Sequence, residues 1–143
     1  MSPDLSEGWI LGRKVYALGY SRHRDLEGFV GLLKGLKVGV LVDVRRFPQS
    51  RNPQFTIENL KMELPKRSIR YEFLGGSLGG YRRGGYEKYM ETAEYKDGIK
   101  KLLEMCEEKS VAIMCLEPKS KYCHRRFIIQ TLFKTGVEVI LVE

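Results

Sequence analysis

Between Cys115 and Arg126 the chain reads C-L-E-P-K-S-K-Y-C-H-R-R. Glu117, Cys123, His124 and Arg125 bring a carboxylate, a thiol, an imidazole and a guanidinium into one short stretch. Glu117 can act as a general base, or it can hold Arg125 or His124 in a structural ion pair. His124 can shuttle a proton, since a free imidazole titrates near pH ~6.5; the alternative is a capping or packing role. Cys123 is flanked by Lys and Arg at the start of a helix, where thiolates are stabilised, so it is a candidate nucleophile. Arg125 suits a phosphate or carboxylate, because its planar fork binds such groups in a bidentate way. Arg126 is rotated away from it and is expected in solvent or in a pair.

Two further connections carry the same chemistry. Tyr20, Ser21 and Arg22 follow one apolar run, and Arg45 and Arg46 follow another. All five are candidate anion contacts. Ser21 lacks a Gly-x-Ser-x-Gly elbow, so acyl transfer is not expected of it. Asp43 lies inside an apolar run and requires a partner, which Arg45, Arg46 or a backbone N–H would supply. Cys115 reads as strand core. Rhodaneses and cysteine phosphatases place a Cys in a comparable strand-to-helix loop with an Arg several residues on, but Cys115 has only Lys121 at such a spacing. A metal site from Cys115, Cys123 and His124 is not expected, because the usual Cys-x2–4-Cys spacing is absent. No cofactor is indicated.

The elements that position these residues follow from periodicity. Lys14–Gly19, Val38–Val44, Ile69–Phe73, Val111–Cys115 and Val137–Val142 read as strands. Leu26, Phe29, Val30, Leu33 and Leu36 mark one helix, opened by Asp25 and stopped near Gly35. Thr56 opens a second, with Ile57, Leu60 and Leu64 inward. Ile99, Leu102, Leu103 and Cys106 mark a third, which makes Cys106 core. A fourth begins near Tyr122, with Ile128, Ile129, Leu132 and Phe133 as its apolar stripe. One step of four residues back along that stripe reaches His124 and Arg125. Six glycines between Gly75 and Gly85 read either as a mobile flap or as a permissive connection.

Alternating strands and helices predict a single α/β domain over residues 14–143, with residues 1–13 a tail or edge segment. The expected sheet is mostly parallel and five-stranded, Rossmann-like in order 3-2-1-4-5, with helices on both faces. Ligands of such sheets bind at the carboxyl ends of the strands. The three basic connections fall there together.

Composition narrows the class. With 143 residues the chain suits one domain with a real core, and no apolar run is long enough to span a bilayer. Asp4 and Glu7 come early, against a secretory leader, so the expected place is the cytoplasm with Cys106, Cys115 and Cys123 reduced. Lys plus Arg is 25 against 18 for Asp plus Glu, a net charge of +7 that favours an anionic partner, a small molecule or a nucleic acid. Abundant Lys, Arg and Glu with few Asn and Gln point weakly to a thermophilic source.

Several long motifs give a resemblance over nearly the whole chain from Tyr16. They are G-Y-S-R-H at Gly19–His23, L-V-D-V-R-R-F-P at Leu41–Pro48 and S-R-N-P-Q-F at Ser50–Phe55. G-Y-E-K-Y-M-E-T-A-E-Y at Gly85–Tyr95 and M-C-L-E with C-H-R-R at Met114–Arg126 complete the set. In these the chain resembles the family filed as domain of unknown function number 488. The resemblance implies a shared site built from the Arg-Arg and Cys-His-Arg segments and supplies no reaction. Related chains often carry a longer insertion after Gly75-Gly76. The residues themselves lead to an expected hydrolase or group transferase acting on a phosphate-bearing substrate, a nucleotide or nucleic acid. A non-enzymatic nucleic-acid-binding module and a thiol-based redox or ligand-sensing domain are the alternatives.

Overall fold

The computed structural model describes residues 14–47, 50–117 and 123–142. The expected tail and residues 118–122 of the stretch above, including the expected helix start at Tyr122, lie outside them. In chain order the elements are β1 (Lys14–Gly19), α1 (Leu26–Gly35), β2 (Val40–Asp43), a 3-10 turn (Pro53–Phe55), α2 (Ile57–Lys66) and β3 (Arg70–Phe73). Then come the one-turn helices α3 (Gly75–Leu78) and α4 (Tyr86–Tyr89), followed by α5 (Ala93–Glu108), β4 (Val111–Cys115), α6 (Arg125–Lys134) and β5 (Glu138–Val142).

Local chemistry sets the helix starts. Asp25 Oδ1 accepts the Gly28 N–H at 2.9 Å, Thr56 Oγ1 that of Asn59 at 3.3 Å and Thr92 Oγ1 that of Tyr95 at 3.2 Å. Each such cap contributes about 1 kcal/mol. α6 differs: it starts at Arg125, three residues later than expected, and its cap residue His124 makes no side-chain bond to the helix. The amide end of α6 is therefore left to other partners.

Among the described residues every strand pairing is parallel, and the order is β3-β2-β4-β1-β5. The class is the expected one, but the order is 3-2-4-1-5 rather than 3-2-1-4-5. β4 lies between β2 and β1, and β5 pairs with β1. Burial explains the exchange. All five residues of β4 are buried, whereas β1 begins with exposed Lys14 and half-buries Tyr16. The strand with apolar side chains on both faces takes the centre, where helices cover it twice.

The helices form two layers. α1 and α2 pack Phe29, Leu33, Leu60 and Leu64 onto one face of the sheet with Leu18, Leu41 and Met114. α5 and α6 pack Ile99, Leu102, Ile128 and Leu132 onto the other with Val15, Val42 and Ile113. Cys106 is buried in this second layer, as its spacing predicts. Phe133 departs from the expected stripe: it is 75% exposed, because Ile128 and Leu132 take the inward line and Phe133 lies one residue round the helix.

The first part of the glycine-rich stretch is packed against the segment after β2, whereas Tyr81, Arg83, Gly84 and Gly85 are exposed. Gly75 and Leu78 are buried, and a Cβ on Gly75 would lie 1.8 Å from the carbonyl oxygen of Arg45. A Cβ on Gly79 would lie 2.5 Å from Arg46 Cα. These glycines exist for close approach of two backbones. Arg82 ties the segment further, donating to the carbonyls of Gly79 at 2.8 Å and Gly76 at 2.5 Å.

Candidate functional site: a thiol–imidazole cleft

Three strands end side by side at the carboxyl edge of the sheet, and a cleft of about 450 Å³ opens above them. Cys115 ends β4, Tyr20 follows β1, and Arg45 and Arg46 follow β2. Cys123 and His124 enter from the start of α6, and Gly80 and Tyr81 from the glycine-rich turn. Of the expected site residues, Tyr20, Arg45, Arg46, Glu117, Cys123 and His124 line this cleft. Ser21 and Arg22 are exposed on the β1–α1 connection and are not in the lining.

Two of the expected anion contacts are already engaged by the protein. Arg45 is buried; its Nε and Nη2 hold the two carboxylate oxygens of Asp43 at 2.9 and 2.7 Å, and its Nη1 donates to Tyr20 Oη at 3.2 Å. Burial works against the charge on Arg45, yet the Asp43 carboxylate holds its pKa above the usual guanidinium range. Tyr71 Oη donates to the same Asp43 oxygen at 2.6 Å. Burial and that carboxylate push the Tyr71 phenol up from its ordinary value. Asp43 has thus found the partner its position demands.

Arg125 is wholly buried, as its helical position predicts, but it turns under the cleft rather than into it. Its Nη1 donates to the carbonyl of Leu18, and its Nη2 donates to that of Glu117 at 2.7 Å. It clamps the end of β1 to the segment leaving β4. Arg126 lies on the outer face over the Phe127 ring, with 4.5 Å from Cζ to the ring centre. Arg46 is the cation at the cleft with donors to spare. Its Nη1 reaches the carbonyls of Gly80 and Tyr81 at 3.4 and 3.0 Å, while Nε and Nη2 have no acceptor among the described residues.

The polar contacts at the start of α6 gather around one sulfur. His124 Nε2 lies 2.8 Å from the carbonyl oxygen of Val44. A carbonyl can only accept, so Nε2 carries a proton. Nδ1 faces Cys123 Sγ at 3.5 Å, and the Arg125 N–H donates to the same sulfur at 3.5 Å. The ring is seated closely: a Cβ on Gly80 would lie 3.0 Å from Nδ1, and the Tyr86 ring is 5.6 Å away. A thiol beside an imidazole whose far nitrogen is held by a third group is a geometry in which the thiol can be activated.

Cys115, which the sequence places in strand core, is buried at the end of β4, and it also lines the cleft. Its position as the last residue of a strand at the ligand edge is the signal that could have found it. The Sγ atoms of Cys115 and Cys123 and a ring nitrogen of His124 all lie within 4.8 Å of one another. The Cys115 S–H donates to Cys123, which pulls the Cys123 thiol well below its ordinary value; His124 and the Arg125 N–H act in the same direction against burial. Cys115, holding the shared proton in a buried place, is pushed up. Two sulfurs and an imidazole are also donors suited to a soft or borderline cation such as zinc, and among the described residues this set is spaced to hold one.

A doubly wound parallel sheet with a cysteine–histidine cleft at its carboxyl edge defines the class of α/β domain. Residues 25–132 match the model of the family described as Domain of unknown function DUF488, and the chain belongs to that family. The match takes in the Arg45–Arg46, glycine-rich and Cys115–Arg125 segments that meet at the cleft. No curated protein and no solved structure matches the chain. Among the described residues no helix is long and apolar enough to cross a membrane.

Proposed function

We propose that this domain is an enzyme of covalent group transfer or hydrolysis, with Cys123 as the nucleophile and an anionic, phosphate-bearing substrate such as a nucleotide in the cleft. One observation carries the reading: Cys123 Sγ sits between the Arg125 N–H and His124 Nδ1, while Nε2 of the same ring is fixed on Val44 O. A thiolate so held is nucleophilic at neutral pH. Arg46, whose Nε and Nη2 have no acceptor among the described residues, presents positive charge to the substrate's anion. His124 carries the proton that the leaving group takes, and Glu117 at the exposed lip is a second acid or base. The net charge of +7 draws anions towards the surface as a whole.

The test is turnover of a panel of phosphate esters and nucleotides by the parent and by Cys123→Ser and Cys123→Ala. Hydrolysis or transfer should fall by about 10³-fold or more in both variants, with an adduct on Cys123 in the parent. A Cys123→Ala protein that keeps the parental rate on a confirmed substrate would overturn the proposal.

A further inference from the structure

A reaction that needs one nucleophile does not consume Cys115, yet its sulfur stands within 4.8 Å of Cys123 Sγ. The two sulfurs come from different elements, the last residue of β4 and the residue before the cap of α6. Both side chains line the cleft, and their Sγ atoms lie within 4.8 Å of each other. Cys106 shows the contrast: it is buried within the packing of α5 and lines none of the clefts described here. A second thiol beside an activated thiolate is what thiol–disulfide exchange requires, since it resolves the mixed disulfide formed first.

We infer that Cys115 is a resolving thiol and that the cleft reduces the disulfide of a small anionic molecule, ending as a Cys115–Cys123 disulfide. The inference rests on Cys123 being the nucleophile and adds the electrophile, a sulfur. The Cys123 thiolate attacks one sulfur of the disulfide. The S–S bond breaks, and the departing thiolate takes the proton held by His124. Cys115 then gives its proton to the freed Nδ1 and attacks Cys123 Sγ. The second thiolate leaves and takes that proton. Two electrons and two protons pass from the protein to the substrate, and two thiols are released. Arg46 in the lining, with donors to spare, selects an anionic substrate, and glutathione disulfide, with its carboxylates, is the probe that matches.

The experiment uses the full chain, reduced and treated with chelator so that no cation holds the sulfurs. It is mixed with glutathione disulfide and followed by intact mass and peptide mapping. The parent should pass through a transient glutathione adduct to a form lacking two hydrogens, with Cys115 linked to Cys123, reversed by dithiothreitol. Cys115→Ser should stop at a stable adduct on Cys123, and Cys123→Ser should give neither product. Cystamine, a cationic disulfide, should react about 10-fold more slowly than glutathione disulfide, because a local field of one sign changes encounter by this order. A parent that accumulates a stable adduct, as Cys115→Ser does, overturns the role of Cys115 and leaves the nucleophile standing. No adduct on Cys123 in either the parent or Cys115→Ser overturns both. Equal rates with the two disulfides overturn the anionic substrate. The time course of the parent alone decides between resolution and none, whether or not the variants fold.

Discussion

The guanidinium of Arg45 turns back onto the carboxylate of Asp43, with Nε 2.9 Å from Oδ1 and Nη2 2.7 Å from Oδ2. Both side chains are buried, so the pair is screened little by solvent. It also fixes the floor of the cleft, because Arg45 carries Tyr20 Oη on its remaining nitrogen.

Removing one partner should therefore cost more than the pair contributes. Asp43→Asn leaves the Arg45 charge buried without its counter-ion, and breaking such pairs costs about 3–5 kcal/mol. Urea unfolding should show that loss in midpoint. The double variant Asp43→Leu with Arg45→Met should be more stable than either single change, since apolar replacement removes the uncompensated charge. A single Asp43→Asn change that leaves the midpoint untouched would show that the carboxylate does not hold Arg45.

Arg46 and Arg125 should separate binding from folding. Arg125→Met strips the donors from the Leu18 and Glu117 carbonyls inside the protein and should lower stability by at least about 1–3 kcal/mol. Arg46→Ala removes a half-exposed side chain and should change stability by about 1 kcal/mol or less. Its effect should fall on ligand capture: phosphate esters that shield Cys123 from alkylation in the parent should shield the variant less. Equal shielding in the two proteins would remove Arg46 from the anion site.

Some of this was legible before folding and some was not. Helical spacing correctly turned Arg125 towards the sheet, because side-chain direction on a helix is a local matter. It could not show that the guanidinium would be consumed by the carbonyls of Leu18 and Glu117, acceptors that only tertiary packing brings near. Asp43 announced its need for a partner by lying in an apolar strand, and Arg45 and Tyr71 meet it. The sheet order escaped because an apolar run such as Val111–Cys115 declares a central strand without naming its neighbours. A run of glycines from Gly75 implies backbone freedom, and Gly75 and Gly79 prove to be sites of close contact, a difference that composition does not encode.

That contact divides neighbouring glycines sharply. A methyl on Gly75 would meet the Arg45 carbonyl oxygen at 1.8 Å and the Phe73 ring at 2.5 Å, whereas one on Gly76 would meet nothing within 4 Å. Gly75→Ala should push the turn away from Arg45 and destabilise by about 1–3 kcal/mol, the range for overpacking. Gly76→Ala should be neutral or stabilising by up to about 1 kcal/mol, because it trades chain entropy for helix propensity. Thermal melts of the two variants compare them directly, and similar losses in both would count against the close approach.

The strongest claim about the cleft is that one thiol acidifies the other, and pH resolves it. Alkylation by iodoacetamide tracks the thiolate, so its rate rises with pH through the thiol's pKa and then levels off. Cys123, lowered chiefly by the Cys115 S–H and also by His124 and the Arg125 N–H, should reach its plateau well below the pH of about 8.5 at which a free thiol is half ionised. Cys115→Ala removes the first of these donors and leaves the burial, which favours the neutral thiol. The midpoint of Cys123 alkylation should therefore move up. Cys115→Ser, whose hydroxyl can still donate, should move it less. Peptide mapping assigns the rates, with Cys115 of the parent, raised by the same shared proton, alkylated only at higher pH. A Cys123 midpoint unchanged by Cys115→Ala would mean that the two sulfurs titrate independently and that Cys115 does not acidify Cys123.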